Sequence, residues 1–272
     1  MHPILFQIGP FTVYTYGVLV AAGVLLALCY MRRIAPRAGL RPYRVWDLGI
    51  YSVLTALVVS KFWLILSAWD FYAAHPREIF SAATLESGGT FYGGFAGSIL
   101  GILVYTRLHK MPLLPVMDVA AAAGPLGHAI GRLGCFAAGC CYGKPTTLPW
   151  GVTFTDPVAY QIAGTPLHVA LHPTQLYDSG VNFLNFAILV WLGHRQRFRG
   201  QIAGTYFILY GAERGVIEFF RGDPGRTLMF HDSISLMQMV SVALILAGSF
   251  LWWRGLHGET PIPPSTQPRV AF

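Results

Sequence analysis

The chain has 272 residues, of which 54% are hydrophobic and only 11% are charged, and its mean hydropathy is +0.51. These values exclude an ordinary soluble domain and predict an all-α polytopic membrane protein. The net charge of +7 is explained by basic connections between spans and by anionic lipid headgroups, so it gives no reason to expect a nucleic acid partner.

Seven apolar segments are long enough for transmembrane helices, which need about 20 residues each. They lie at 12–31, 47–69, 91–108, 116–136, 179–193, 201–220 and 234–253. Polar residues within the fourth and the sixth segments lower their hydropathy, so these two are the weakest candidates for transmembrane helices. The first has no basic residue before it and is followed by the basic run RRIAPR. We therefore interpret it as a retained helix and not as a cleaved signal peptide.

Lysine and arginine concentrate in alternate connections. Five arginines follow the first span, Arg107 and Lys110 follow the third, and three arginines follow the fifth. Such connections are typically cytoplasmic. We therefore expect the N-terminus outside and, after seven spans, the C-terminus in the cytoplasm.

The domain prediction follows from the connections and the tail. Residues 1–256 are expected to form one transmembrane catalytic domain. Its longest connection, about 137–178, contains the strand-like runs PWGVTFTD and PLHVALHPTQ, which predict a small periplasmic cap between the fourth and fifth helices. Residues 257–272 are rich in proline and polar residues and are predicted to be a disordered cytoplasmic tail.

Two arginines lie inside predicted spans, Arg132 in the fourth and Arg214 in the sixth. A guanidinium stays charged, so holding it at membrane depth costs several kcal/mol unless an anion or a water-filled cavity receives it. The pair therefore predicts a site for a negatively charged ligand.

The helical period extends this prediction to neighbouring side chains. At about 100° per residue, Tyr210, Arg214 and Arg221 share one face of the sixth span, and Glu218 is one turn from Arg214. His128 makes a similar face with Arg132, so three guanidiniums are expected in a shared polar cavity. An internal Arg214–Glu218 salt bridge with a purely structural role is the alternative.

Four motifs resemble those of the prolipoprotein diacylglyceryl transferase family: GGTFYGGFAG, IGRLGCFAAGCCYGKPT, HPTQLYDSG and LYGAERGVIEFFR. The resemblance runs from Ile8 to Trp253. It implies transfer of the diacylglyceryl group of phosphatidylglycerol to the lipobox cysteine thiol of prolipoproteins, the first step of bacterial lipoprotein maturation, with release of glycerol phosphate. The implied partners are phosphatidylglycerol, other membrane lipids and prolipoprotein signal peptides, and no cofactor is implied. The implied location is the bacterial inner membrane, which the chain would cross several times.

The resemblance also implies roles for individual residues. Arg132 and Arg214 would bind the phosphate and stabilise it as it leaves. The other implied substrate-binding residues are Arg221, Tyr16, Tyr210, Gly131, Gly134, Lys144 and His172. The candidates for activating the thiol are Glu218, His128, His172 and Tyr92. Asp118, at the start of the fourth span, is predicted to be a helix cap or an interfacial residue.

Several positions depart from the family pattern. Tyr92 stands where a histidine is common, and a phenol with an ordinary pKa near 10 is a poor base at neutral pH. GCFAAGC replaces G-N-F-I-N-G-E, and Lys144 and Lys61 replace arginines, keeping the charge but losing the bidentate fork. These changes leave the group that activates the thiol unassigned.

The cysteines suggest further possibilities. Cys135, Cys140 and Cys141 form a C-x4-C-C cluster, and Cys29 lies alone in the first span. The cluster is compatible with packing or with a disulfide from Cys135 to either partner, whereas its spacing and its lack of histidine predict no metal site. A membrane thiol-disulfide oxidoreductase using this cluster and a lipid or anion transporter using the arginines are the alternative functions.

Overall fold

The computed structural model describes residues 2–9, 11–81, 84, 89–223, 228–229 and 234–258, and it is mostly helical. The helices in these ranges are α1 Thr15–Ile34, α2 Pro42–Ser67, α3 Trp69–Ala74, α4 Phe91–Leu108, α5 Leu113–Ala138, α6 Pro157–Ala163, α7 Thr174–Gly193, α8 Gln201–Phe220 and α9 Leu236–Leu256. The strands are β1 Ile4–Ile8, β2 Phe11–Tyr14, β3 Val152–Thr153, β4 Ala170–Leu171, β5 Leu228–Met229 and β6 Ile234–Ser235.

Each strand pairs with its neighbour in the chain. The three sheets are two-stranded and antiparallel, in the orders β1-β2, β3-β4 and β5-β6. The β3-β4 pair joins the two strand-like runs predicted in the fourth connection, with Val152 opposite Leu171. That prediction of short strands is confirmed.

The prediction of a helical membrane protein is confirmed in its general form. Four helical stretches of the described chain are long and apolar enough to cross a membrane: Thr15–Ala38, Pro42–Ser67, Leu113–Ala138 and Leu236–Leu256. Gly93–Leu108 is apolar but shorter. The helices α7 and α8 fall outside this group because they contain several polar and charged residues, most of which are buried.

The ends of several helices follow from local sequence. Helix α9 begins with a capping box, in which the Ser235 side chain accepts from the Gln238 amide and the Gln238 side chain accepts from the Ser235 amide. Asp156 accepts from the Val158 amide at the start of α6. Helix α9 ends at Leu256, and the predicted disordered tail lies, from residue 259 onward, outside the described residues.

The chain divides into two compact units, residues 40–116 and residues 1–39 with 117–272. In the first unit, α4 packs closely on α2 through glycines. A Cβ on Gly97 would lie 2.5 Å from the Thr55 carbonyl oxygen. The second unit contains Arg132, Arg214 and the cysteine cluster.

The core of the second unit is built from α5, α7 and α8. It contains the buried residues Ala121, Ala122, Leu189, Ile202 and Ala203. Helix α1 approaches α5 closely, because a Cβ on Gly23 would lie 2.8 Å from the Gly127 carbonyl oxygen. Helices α8 and α9 make a similar crossing at Gly204 and Gly248.

Asp118 fixes the start of α8. Its buried carboxylate accepts hydrogen bonds from the Gly200 amide at 2.6 Å, the Ala203 amide at 2.9 Å and the Gln196 side chain at 2.7 Å. The sequence allowed a capping or an interfacial role for Asp118. The contacts show that it caps a helix, namely α8 and not its own helix, which positions Arg214 further along α8.

We expect Gly248→Ala to destabilise the protein by about 1–3 kcal/mol, because the added methyl group would collide with the Gly204 backbone. Gly180→Ala is the matched control, since a Cβ there meets no atom within 4 Å. Thermal unfolding of the purified variants in detergent measures the difference. Equal midpoints for the two variants would contradict the close crossing of α8 and α9.

Candidate active site

Helix α7 carries a buried polar stripe into the second unit. Its buried polar residues are Thr174, Gln175, Asp178, Ser179, Asn182 and Asn185. They recur every three or four residues, so they lie on one face of the helix. The Ser179 hydroxyl donates to the Ala129 carbonyl at 2.9 Å, which ties this face to α5.

Arg132 meets this stripe at Asp178. The distance from Arg132 Nε to Asp178 Oδ2 is 2.7 Å, and Arg132 Nε also donates to His128 Nε2 at 3.2 Å. His128 Nε2 lies 3.6 Å from Asp178 Oδ1. The predicted i, i+4 face of His128 and Arg132 is therefore confirmed. His128, Arg132 and Asp178 therefore contact one another at the junction of α5 and α7.

Two asparagines extend the network to α8. Asn182 Nδ2 donates both to Asp178 Oδ1, at 2.9 Å, and to Glu213 Oε1. Asn185 Nδ2 donates to Glu213 Oε2 at 2.7 Å. None of these four residues was predicted as part of the site. The three- and four-residue spacing of polar side chains after the HPTQ motif indicates a polar face for the three α7 residues, but it does not identify Glu213 on α8 as their partner.

Arg214 is the most buried of the three arginines in this region, with 5% of its surface exposed. Its Nη2 lies 2.9 Å from Glu218 Oε2, so the predicted Arg214–Glu218 salt bridge exists. Its Nη1 is also buried but has no hydrogen-bond partner among the described residues. A buried guanidinium nitrogen without an acceptor is costly, so this atom indicates a place for an anionic oxygen.

Arg221 approaches the same carboxylate from the end of α8. Its Nη1 lies 3.9 Å from Glu218 Oε2, and its Nε donates to Asp223 Oδ1 at 2.8 Å. Helix α8 ends at Phe220, and Arg221 is its C-terminal flanking residue, with φ −69° and ψ 139°. It still contacts Glu218, three residues earlier, as neighbours on one helix face do. Arg221 and Arg132 interact electrostatically with Arg214, so the three charges lie in one region.

The predicted tyrosines and glycines differ in their surroundings. The Tyr210 ring lies 5.6 Å from the His128 ring, whereas Tyr16 is 44% exposed and interacts electrostatically with Arg132. Gly134 is a packing contact, since a Cβ there would lie 3.2 Å from the Tyr16 carbonyl oxygen. A Cβ on Gly131 would meet open space. Of the two glycines, only Gly134 is required by packing.

The connecting segment 139–173 joins the end of α8 through its backbone. The Lys144 amide donates to the Phe220 carbonyl at 2.8 Å, and the His172 amide donates to the Lys144 carbonyl at 3.0 Å. The Lys144 side chain is exposed. His172 Nδ1 is 3.3 Å from the Tyr177 hydroxyl, which also accepts from Trp150 at 2.7 Å. These contacts give His172 a role in orienting the segment.

Two candidate residues belong to the other compact unit. Tyr92 lies in the first turn of α4, and its side chain is outside the part of the chain that the structure describes. Lys61, in α2, donates to the Thr84 carbonyl at 2.6 Å. The Lys61 charge is therefore engaged with backbone within its own unit.

The cysteine cluster lies where α5 meets the connecting segment. The sulfurs of Cys135, Cys140 and Cys141 lie within 4.8 Å of one another, and none of the four cysteines forms a disulfide. Hydrogen bonds from Cys135 and Cys140 lower the pKa of the Cys141 thiol, whereas the contacts of Cys140 with Cys135 and Cys141 raise the pKa of Cys140. Cys141 has φ 58°, a left-handed conformation that is strained for a residue with a side chain.

These features define an integral membrane protein with an inward-facing cluster of arginines and carboxylates. The buried Arg214 nitrogen and the neighbouring Arg132 and Arg221 charges suit the phosphate of a lipid headgroup.

The comparisons with known proteins identify the family. A family profile described as "Prolipoprotein diacylglyceryl transferase" matches residues 3–254. The chain is 33% identical over 270 residues to the phosphatidylglycerol–prolipoprotein diacylglyceryl transferase of Synechococcus elongatus, covering 95% of this chain and 90% of that protein. The enzyme of the same name from Bordetella parapertussis is 32% identical, with 97% of both chains covered. That of Clostridium tetani is 31% identical, with 93% and 97% covered. The chain belongs to the prolipoprotein diacylglyceryl transferase family.

Proposed function

We propose that the protein transfers the diacylglyceryl group of phosphatidylglycerol to the thiol of a prolipoprotein cysteine and releases glycerol phosphate. The observation that carries the proposal is the buried Arg214 Nη1, which has no hydrogen-bond partner among the described residues. The chain's membership of the family supplies the reaction in which an anion would occupy this place. Family membership favours this transferase over the oxidoreductase and the transporter.

The reaction replaces a carbon–oxygen bond by a carbon–sulfur bond. The thiolate sulfur attacks the glyceryl carbon that carries the phosphate ester, and the electron pair of the broken bond stays on the phosphate oxygen. Negative charge therefore builds on the leaving group. Arginines fixed in a water-poor site stabilise such charge more strongly than water does.

We assign the leaving phosphate to Arg214 and Arg132, with Arg221 at the entrance to the same region. Glu218 Oε2 lies 2.9 Å from Arg214 Nη2, and Asp178 Oδ2 lies 2.7 Å from Arg132 Nε. These carboxylates fix the two guanidiniums, and Arg214 Nη1 is then available to bind the phosphate. Glu218 and His128 are thus positioning residues. Tyr16, Tyr210 and Gly131 are assigned to the walls that contact the substrate.

We further propose the finer topology expected from the sequence. All seven helices of 18 or more residues would cross the inner membrane, with residues 1–256 as the catalytic domain and 257–272 as a cytoplasmic tail. The alternation of basic connections supports an outside N-terminus and places the connecting segment 139–173 on the periplasmic face. The substrate cysteine would then approach Arg132 from that face.

Incubation of the purified protein with phosphatidylglycerol and a lipobox peptide is expected to produce the diacylglyceryl thioether and an equal amount of glycerol phosphate. Mass spectrometry of the peptide measures the thioether, and an enzymatic assay measures glycerol phosphate. A peptide with serine in place of the cysteine is the control. The proposal fails if no thioether forms under conditions in which the Bordetella parapertussis relative is active.

A further inference from the structure

The cluster of Cys135, Cys140 and Cys141 has no part in the phosphate chemistry described above, although it lies beside it. Cys135 is three residues after Arg132 on α5, and Cys141 interacts electrostatically with Arg132 and Arg221. We propose that the three cysteines bind a thiophilic divalent cation, Zn²⁺, whose open fourth position takes the acceptor thiol of the prolipoprotein.

The separation of the sulfurs fits such a site. Three thiolates around Zn²⁺, each about 2.3 Å from the metal, lie roughly 3.8–4.0 Å from one another. The three sulfurs already lie within 4.8 Å. The remaining difference is less than about 1 Å for each pair of sulfurs.

Buried side chains donate hydrogen bonds to the backbone that carries the thiols. The carbonyl groups of Gly139, Cys140 and Cys141 accept from Thr165, Gln175 and Thr174, at 3.0, 2.7 and 2.8 Å. All three donors are at least 98% buried. Cys141 itself has a left-handed backbone, with φ 58°, in this supported segment. Fixed support of this kind is what positions metal ligands.

The local charge suits a three-thiolate complex. Three thiolates and one Zn²⁺ carry a net charge of −1, and the charges of Arg132 and Arg221 interact with this position. An anionic complex is favoured beside two cations. A zinc site with three protein ligands keeps one position open for an exchangeable ligand, as catalytic zinc sites do.

The open position explains how the acceptor thiol is activated, and this step rests on the proposed transferase function. The thiol would bind through sulfur and release its proton to water, because thiols that coordinate a metal are deprotonated. The bound sulfur then forms the bond to the glyceryl carbon, and the carbon–oxygen electron pair leaves with the phosphate. The thioether product is neutral and a weaker ligand, so it leaves the metal. Zn²⁺ is neither oxidised nor reduced.

The first test measures metal binding by the full-length protein in detergent, after reduction and removal of metal with a chelator. We expect one Zn²⁺ per chain by elemental analysis and sulfur ligands by X-ray absorption. Titration with Co²⁺ should give a thiolate-to-cobalt charge-transfer band. Absence of this band in fully reduced protein, or a zinc shell of only nitrogen and oxygen, would overturn the proposal.

Cysteine variants identify the ligands. Cys135→Ser, Cys140→Ser and Cys141→Ser should each weaken Co²⁺ binding by at least about tenfold, as loss of a ligand should cost no less than loss of its supporting residues. Cys29→Ser is the matched control, because Cys29 is exposed on α1 and outside the cluster. Equal loss of binding in the Cys29 variant would assign the metal elsewhere. If a cluster variant unfolds, the X-ray absorption result for the wild-type protein still decides.

A peptide titration separates this proposal from the transferase function. A lipobox peptide should shift the charge-transfer band as its thiol becomes the fourth ligand, and the peptide with serine should not. The shift requires no turnover, so it is expected even with phosphatidylglycerol left out. Thioether formation at full rate by the metal-free protein would overturn activation by zinc while leaving the transferase function intact.

Discussion

The Arg214→Ala variant is expected to lose about 10²- to 10³-fold in the rate of diacylglyceryl transfer, as expected for removal of one fixed donor to a developing anion. Arg214 is 95% buried, its Nη2 is engaged by Glu218, and its Nη1 has no partner among the described residues. Truncation removes this buried nitrogen, which no described residue engages.

The Arg214→Lys variant distinguishes the contribution of the two-nitrogen geometry of the guanidinium from that of its positive charge. Lysine carries a single ammonium group, so contact with Glu218 competes with contact to the phosphate. We expect its rate to fall between those of the wild-type protein and Arg214→Ala. Arg197→Ala, which removes an exposed arginine from the connection between α7 and α8, is the matched control and should keep the wild-type rate.

Loss of fold is a separable outcome for Arg214→Ala. Glu218 also lies 3.9 Å from Arg221 Nη1, so its carboxylate keeps a positive neighbour in the variant. The thermal midpoint and the helical content of the purified variants measure folding, and the ratio kcat/KM measures the reaction. A folded Arg214→Ala protein with a rate within about tenfold of wild type would remove Arg214 from the phosphate site.

The helices were largely predictable from the sequence because apolar length is a strong signal. The predicted spans 91–108 and 201–220 coincide with α4 and α8. The predicted span 179–193 starts too late, since α7 begins at Thr174. Its first turn contains Thr174, Gln175 and Asp178, which hydropathy assigns to a loop although they are buried.

The two arginines were predictable from the cost of a charge inside the membrane, and Glu218 was predictable as the partner of Arg214 because it lies one turn away on the same helix. Asp178, the partner of Arg132, was not predictable, because it lies on a different helix and the helical period of one segment says nothing about the facing segment. The same holds for Glu213 and the two asparagines that it contacts on α7. The left-handed backbone at Cys141 is likewise not indicated by the sequence.

The pair of Arg132 and Asp178 allows structure to be separated from catalysis by paired substitutions. Asp178→Ala removes the carboxylate that lies 2.7 Å from Arg132 Nε. The Arg132 side chain, which is only 13% exposed, then loses this partner. Breaking one side of a buried ion pair costs about 3–5 kcal/mol. We therefore expect Asp178→Ala to be strongly destabilised and inactive.

The double variant Arg132→Ala/Asp178→Ala is expected to recover most of this stability while remaining inactive, because it has no uncompensated charge but also lacks the arginine assigned to the phosphate. Thermal unfolding measures the coupling between the two residues, and the thioether assay measures transfer. If Arg132 served only to neutralise Asp178, removal of both would restore turnover together with stability. Stability without turnover requires that the Arg132 guanidinium acts on the substrate itself.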